Sequence, residues 1–275
     1  METCRGKVVA ITGASSGLGA ELARSFARRG AKVALLARRT EKTEALAREI
    51  LARKGEAISV YCDVRDPGSI EGALAQIRRE WGWLDILVAN AGFGVVGDFE
   101  SLAIEDYQRQ LDTNVLGVVR TLQAGLSDLK RMQGRFVIIG SIKGYFSIAG
   151  GSAYSMSKFA VRALALSLGP ELARHGISVT HIAPGYIETE FRNVDNRGQW
   201  HAEASQENVP AIFRMKASKA AEQIVDATMK RKSERVITWH GKAIVWLFRH
   251  FPGVLLRLLA RTGARSRAQP GLSKT

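Results

Sequence analysis

Residues 7–39 read KVVAITGASSGLGAELARSFARRGAKVALLARR, and this stretch decides the fold. Lys7 to Thr12 is a short apolar run rich in β-branched residues. It stops at Gly13-Ala14-Ser15-Ser16-Gly17-Leu18-Gly19, and an amphipathic pattern then runs through Leu22, Phe26 and Arg29 to Gly30, a helix-ending glycine. A second apolar run follows from Lys32 to Ala37. Strand, glycine turn, helix and strand make a βαβ unit, because parallel strands need such a crossover. Backbone without a Cβ can approach a pyrophosphate, whose charge is met by the amides and dipole of the helix N-terminus. A tight turn with no ligand would use the same residue types, so the turn needs support from the rest of the chain.

The length of 275 residues and the 46% hydrophobic content suffice for one large α/β core. Cys4 and Cys62 cannot make a disulfide framework and lack metal-ligand spacing, so a reducing, cytoplasmic compartment is expected and no metal. The few residues before the first strand carry no secretory apolar segment, and no apolar stretch reaches the roughly 18 residues of a spanning helix. The expectation is a soluble protein, or one held on a membrane surface. Net charge is +14, which invites an anionic partner. Half of the excess lies after Gly241, where Lys242, Arg249, Arg257, Arg261, Arg265, Arg267 and Lys274 meet no Asp or Glu. No zinc-finger, RNA-recognition or base-stacking pattern accompanies the charge, so sequence-specific nucleic-acid binding is not expected.

Further along, Tyr154-Ser155-Met156-Ser157-Lys158 places a phenol and an ammonium four residues apart, on one face of a helix. A fixed cation favours phenolate and makes the phenol a usable proton donor and acceptor near neutrality. The pair is also common on solvated helix faces.

The glycine spacing, three residues between Gly13 and Gly17-Leu18-Gly19, taken with the later Tyr and Lys, resembles the classical short-chain dehydrogenase/reductase family. The resemblance implies a single Rossmann-type doubly wound α/β domain with a parallel sheet of about seven strands, spanning residues 1–240 with a substrate lid near 190–216. It also implies a cofactor site at Gly13, Ser15, Ser16, Gly17, Leu18 and Gly19. A site choosing NAD would offer an acid at the end of the second strand; Arg38 and Arg39 stand there instead and favour the 2′-phosphate of NADP(H), unless they only pair with Glu41 or Glu44. Asp63-Val64 resembles the family's adenine-contacting pair, and Asn90-Ala91-Gly92 its turn along the cofactor. Ala89 stands where the family usually has a further asparagine.

One helical pattern covers about 105–132 and contains Asn114, which by resemblance connects water to the active-site lysine. Ser141 ends a strand thirteen residues before Tyr154, the family's spacing for its Ser, Tyr and Lys. Pro184-Gly185, Ile187 and Thr189 match the turn against the nicotinamide. The matched blocks run from Lys7 to Thr189. Asn114, Ser141, Tyr154 and Lys158 are thus the expected catalytic set for carbonyl reduction or alcohol oxidation. Tyr154 and Lys158 are also expected to touch cofactor, and a homodimer or homotetramer is implied. A catalytically silent NADP-binding protein and an isomerase or dehydratase on the same scaffold stay open. Phe93, Val95, Phe146, Ile148 and Tyr186 flank the motifs as an apolar substrate wall, and Phe191, Trp200, His201 and Phe213 lie in the lid.

The basic tail, 241–275, is outside these motifs. Its apolar residues from Ile244 to Leu259 are interrupted by Arg249, His250, Arg257 and then Arg261, and Pro252-Gly253 should divide it into two short amphipathic helices. Such helices suit an anionic membrane surface, the core, or a second subunit.

Overall fold

The computed structural model describes residues 3–199, 201 and 210–261. Trp200 and the basic residues Arg265, Arg267 and Lys274 lie outside them. β1 (Val8–Thr12) and β2 (Lys32–Ala37) pair in parallel with α1 (Gly17–Arg28) between them in sequence, as the opening stretch predicts. The chain continues with α2 (Thr40–Ala52), β3 (Glu56–Tyr61), α3 (Pro67–Trp81), β4 (Ile86–Ala89), α4 (Ile104–Leu111), α5 (Gly117–Arg131), β5 (Arg135–Ile139) and α6 (Ser152–Ala173). It ends with β6 (Ser178–Ala183), the short pair β7 (Ile187–Glu188) and β8 (Met215–Lys216), α7 (Ala217–Met229), β9 (Glu234–Val236), α8 (Trp239–His250) and α9 (Pro252–Arg261).

The main sheet has seven strands in the order β3-β2-β1-β4-β5-β6-β9, with every pair parallel. Its central strands are buried on both faces, which is why they read as unbroken apolar runs rather than alternating ones. Leu22, Phe26, Leu46, Ile50, Ile224 and Val225 from α1, α2 and α7 cover one face. Ile70, Leu74, Val118, Leu122 and Val161 from α3, α5 and α6 cover the other. The chain winds outward in both directions from β1 and β4, so the order reverses between them and a crevice opens at their carboxyl ends.

Local signals set the element ends. Asp66 accepts from the Gly68 amide at 2.9 Å and Pro67 opens α3, while Gly82 at φ 85° closes it. The pattern over 105–132 is not one helix: a π-type turn at 112–116 separates α4 from α5. Long-range hydrogen bonds from Gln110 and Asn114, described below, accompany this widened turn. Pro252 divides α8 from α9, as expected.

Charged side chains fasten α7 to α1. Glu222 accepts from Arg29 at 2.5 Å, Arg28 at 2.6 Å and Ser25 at 2.8 Å. Partial burial opposes ionisation of Glu222, but the hydrogen bonds from Arg29, Arg28 and Ser25 outweigh it and pull the carboxyl from 4.5 down to about 2. A carboxyl depressed on folding stabilises the fold above its unfolded pKa and loses that contribution as pH falls through the folded value. With a discount for its partial solvent exposure, Glu222→Gln should destabilise the protein by about 1–2 kcal/mol at pH 7. The difference from wild type should shrink between about pH 4.5 and 2. Urea unfolding across that range measures it, and equal stabilities at pH 7 would refute it.

Candidate active site

The carboxyl ends of β1, β4, β5 and β6 bring Gly13, Asn90, Ser141 and Pro184 to one rim of the sheet. Gly13 has φ +67°, and a Cβ there would sit 2.8 Å from the Ala91 Cα, so the turn requires glycine on both counts. A Cβ on Gly19 would overlap the Gly13 carbonyl and stand 2.6 Å from Asn90 Nδ2. Helix α1 therefore starts pressed against the first turn. The Asn90 amide nitrogen Nδ2 donates to the carbonyls of Thr12 (2.9 Å) and Gly13 (3.2 Å), while Thr12 Oγ1 accepts from the Asn90 and Ala91 amides at 3.0 and 3.1 Å. Thr12 closes this reciprocal lock between β1 and β4. Its only sequence signal is a hydroxyl ending an apolar strand.

Ser16 precedes α1 without capping it through its side chain. Arg39 Nη2 instead donates to Ser15 Oγ and Ser16 Oγ, both at 3.0 Å. A guanidinium thus lies beside the helix N-terminus, where backbone amides and the dipole already favour an anion. Arg38 is exposed at the end of β2. The charge of Arg38 also contributes to lowering the Asp63 carboxyl, after the stronger hydrogen bond from Arg65. Arg65 grips Asp63 at 2.6 Å, and Val64 is buried against Gly117.

The π-type turn has a visible use. Asn114 is buried; its Oδ1 accepts from the Phe93 amide at 3.1 Å, and its Nδ2 donates to the Phe93 carbonyl at 2.9 Å and to Ser157 Oγ at 3.3 Å. Gln110, one turn earlier and fully buried, donates to the same Phe93 carbonyl at 2.9 Å and accepts from the Val95 amide at 2.6 Å. Together the two amides hold the backbone that follows Asn90-Ala91-Gly92. Sequence reasoning singled out Asn114, as a water link to Lys158, whereas its bonds here run to Phe93 and Ser157; it passed over Gln110, although both are amides four apart in a helical pattern.

Ser141 is buried directly after β5, with its Oγ accepting from the Lys143 amide at 3.2 Å. Tyr154 lies in the first turn of α6 and Lys158 one turn later. Lys158 is buried; its Nζ donates to the Ile139 carbonyl at 2.9 Å and stands 5.6 Å from the centre of the Tyr154 ring. Burial pushes its ammonium down from 10.5 to about 8. Ile139 is two residues before Ser141, so the lysine ties α6 to the strand end that carries the serine.

The segment expected to be a lid reaches this pair through Phe191, whose ring meets that of Tyr154 edge-on with centroids 5.9 Å apart. Thr189 Oγ1 accepts from the Phe191 amide at 3.4 Å, and Ile187 pairs with Met215 across β7 and β8. Asp195 holds His201 at 2.8 Å, on the far side of the segment. Of the expected substrate wall, Tyr186 is exposed and Ile148 partly buried, whereas Phe93 and Phe146 are nearly closed off. Val95 is wholly buried against Phe93, Ala153 and their neighbours and offers no surface to a ligand.

Phe146 is covered by the tail. Its ring stacks on Phe248 of α8 with centroids 4.8 Å apart, and Ile142 and Val245 complete the cluster. Thr238 caps α8 by accepting from the Gly241 amide at 3.2 Å, and Arg249 pairs with Glu234 at 2.8 Å. His240 Nε2 accepts from the Tyr186 amide at 3.4 Å, against the Pro184-Gly185 turn. One face of α8 therefore belongs to the core beside the site. Both cysteines are buried and unbridged. Among the described residues no group of three or more His, Cys, Asp or Glu could hold a metal ion.

Residues 7–200 match the family described as short chain dehydrogenase. The chain belongs to the short-chain dehydrogenase/reductase family, whose members are oxidoreductases using nicotinamide cofactors. It is 34% identical over 271 residues to the dehydrogenase/reductase SDR family member 7B of Bos taurus, covering 96% of this chain and 83% of that protein. It is 40% identical over 186 residues to oxidoreductase UcpA of Salmonella typhimurium, covering 67% and 70%. Among solved structures it resembles an alcohol dehydrogenase from Thermococcus sibiricus complexed with 5-hydroxy-NADP, with a TM-score of 0.73 and 29% identity over 84% of this chain and 96% of that one.

Proposed function

We propose that the protein is an NADP(H)-dependent reductase or dehydrogenase acting on the carbonyl or secondary alcohol of an apolar substrate. The observation that carries this reading is the buried Lys158, one helical turn from Tyr154 and bonded to the strand end that bears Ser141. NADPH, when bound, supplies the hydride. The residues present fit it: a glycine turn that a Cβ would fill, an open helix N-terminus, and Arg38 and Arg39 beside the 2′ position expected from the family. Asp63 and Val64 would border the adenine, and Asn90 to Gly92, Pro184, Gly185, Ile187 and Thr189 the nicotinamide half.

In reduction Ser141 and Tyr154 hydrogen-bond the carbonyl oxygen as negative charge grows on it, and Tyr154 delivers its phenolic proton to that oxygen. The Lys158 ammonium stabilises the resulting phenolate, and with NADPH bound it would hold the nicotinamide ribose. Asn114 holds the Phe93 backbone beside them, and the phenolate regains its proton from solvent. Phe191, Ile148 and Tyr186 give the substrate an apolar border.

A panel of apolar ketones and aldehydes, offered with NADPH or NADH, tests the reading by absorbance of the reduced nicotinamide. NADPH oxidation with at least one of them, at a kcat/KM more than about tenfold above that with NADH, is expected. Cofactor binding without oxidation by any carbonyl would leave a silent NADP-binding protein. Turnover without net cofactor oxidation would point to an isomerase.

A further inference from the structure

The inner face of α8 packs on Phe146, Ile142 and Glu234; among the described residues no such core contact covers Trp246 on its outer face or Val254 and Leu256 of α9. Trp239 and Trp246, seven residues apart, stand exposed on one side of α8, and Phe251, Val254 and Leu256 are exposed beyond its end. Trp246 at 54% and Leu256 at 55% exposure are too open to be core residues. Trp246 packs within the tail on the rings of His250 and Phe251. Lys242, Arg249 and Arg257 flank this surface, also exposed, and the chain from Arg235 onward contains no acidic residue at all. Arg249 pairs with Glu234.

We propose that this face docks on an anionic phospholipid bilayer. Three features select that occupant over a protein surface. Tryptophans and basic side chains alternate along α8, the composition that settles at the level of lipid headgroups. The charge is of one sign, complementary to anionic lipid and self-repelling against a second copy of the same tail. No helix among the described residues is long and apolar enough to cross a membrane, so attachment through α8 and α9 is interfacial.

Docking would carry the lid with it. Phe213 stacks on Trp239 with ring centroids 5.6 Å apart, and Trp239 Nε1 donates to the Ile212 carbonyl at 3.4 Å. Ile212 itself is exposed beside the tryptophan. The lid edge and the outer face of α8 are thus one surface, and a substrate dissolved in the bilayer would reach the site without crossing water. This last step rests on the reductase reading; the docking does not.

The test is sedimentation of the full chain with vesicles of phosphatidylcholine, with and without phosphatidylglycerol, at low and high salt. Binding to the anionic vesicles, weakened at least about tenfold by high salt, is expected. Trp246→Glu with Leu256→Glu alters only exposed positions. It should lower the partition coefficient at least about tenfold while leaving turnover of a water-soluble carbonyl and the oligomeric state unchanged. Failure of the full chain to bind anionic vesicles overturns the proposal, as does equal binding by the variant. Loss of an oligomer in the variant, read by light scattering, would show that a second copy covers the face and would also overturn it. NADPH oxidation in solution reports separately on the reductase reading, so the two can fail independently.

Discussion

Replacing Tyr154 with phenylalanine is expected to lower turnover about 10²–10⁴-fold, the usual worth of a positioned general acid. The substitution removes the hydroxyl with its transferable proton and keeps the ring. The ring would keep its edge contact with Phe191 and its place over Lys158, so thermal stability and most of the affinity for NADPH should survive. Single-turnover rates with NADPH, alongside a fluorescence titration of the cofactor, separate the two effects. A variant that turns over within about tenfold of wild type would remove Tyr154 from the chemistry. The pH profile of the wild type adds a signature. Reduction leaves phenolate at Tyr154, which the Lys158 ammonium stabilises, and burial holds that ammonium near 8. The reductive rate should therefore decline as pH rises through about 8.

The second large effect concerns cofactor choice. Arg38→Asp combined with Arg39→Ser should weaken NADPH binding by about 10²–10⁴-fold and leave NADH binding little changed, at about 1.5–3 kcal/mol for each charge-assisted hydrogen bond. Arg38→Asp alone should exceed about tenfold. The two arginines differ in setting: Arg39 is already ordered by Ser15 and Ser16, whereas Arg38 is exposed near Asp63. Arg39 is thus preorganised beside the helix N-terminus and Arg38 is free to close on a ligand. Dissociation constants of the single and double variants for both cofactors would apportion the effect. Equal affinity of the unmodified protein for NADPH and NADH would dispose of the phosphate reading.

Much of this architecture is legible in the sequence because its signals are local. The βαβ unit announces itself through a strand, a glycine turn and an amphipathic helix that are contiguous, and the edges of β2 and β6 fall where the apolar runs end. What stayed hidden depends on partners far away in the chain. Gln110 looks like any polar residue on a helix until Phe93 is brought to it, and the widened turn at 112–116 leaves no mark in hydrophobic periodicity. Thr12 is similarly silent without Asn90. Pro252 marked the break in the tail, but the orientation of α8 did not follow, because Val245 and Phe248 on its inner side are no more apolar than Trp246 on its outer side. Val95 shows the reverse problem: proximity to a motif suggested ligand contact, while the hydrogen bond to Gln110 draws it into the interior.

The stack of Phe146 on Phe248, with Ile142 and Val245 packed beside it, joins the loop that follows Ser141 to the tail helix. Two occupants on opposite sides of such a joint cannot be energetically blind in one direction only. If a ligand beside Phe146 prefers one setting of α8, then whatever grips the helix from outside must alter the affinity for that ligand by the same factor, since the thermodynamic cycle closes. Enzyme measured free in solution and enzyme measured at its docking surface would then differ in apparent substrate affinity without any change in the residues that perform the chemistry.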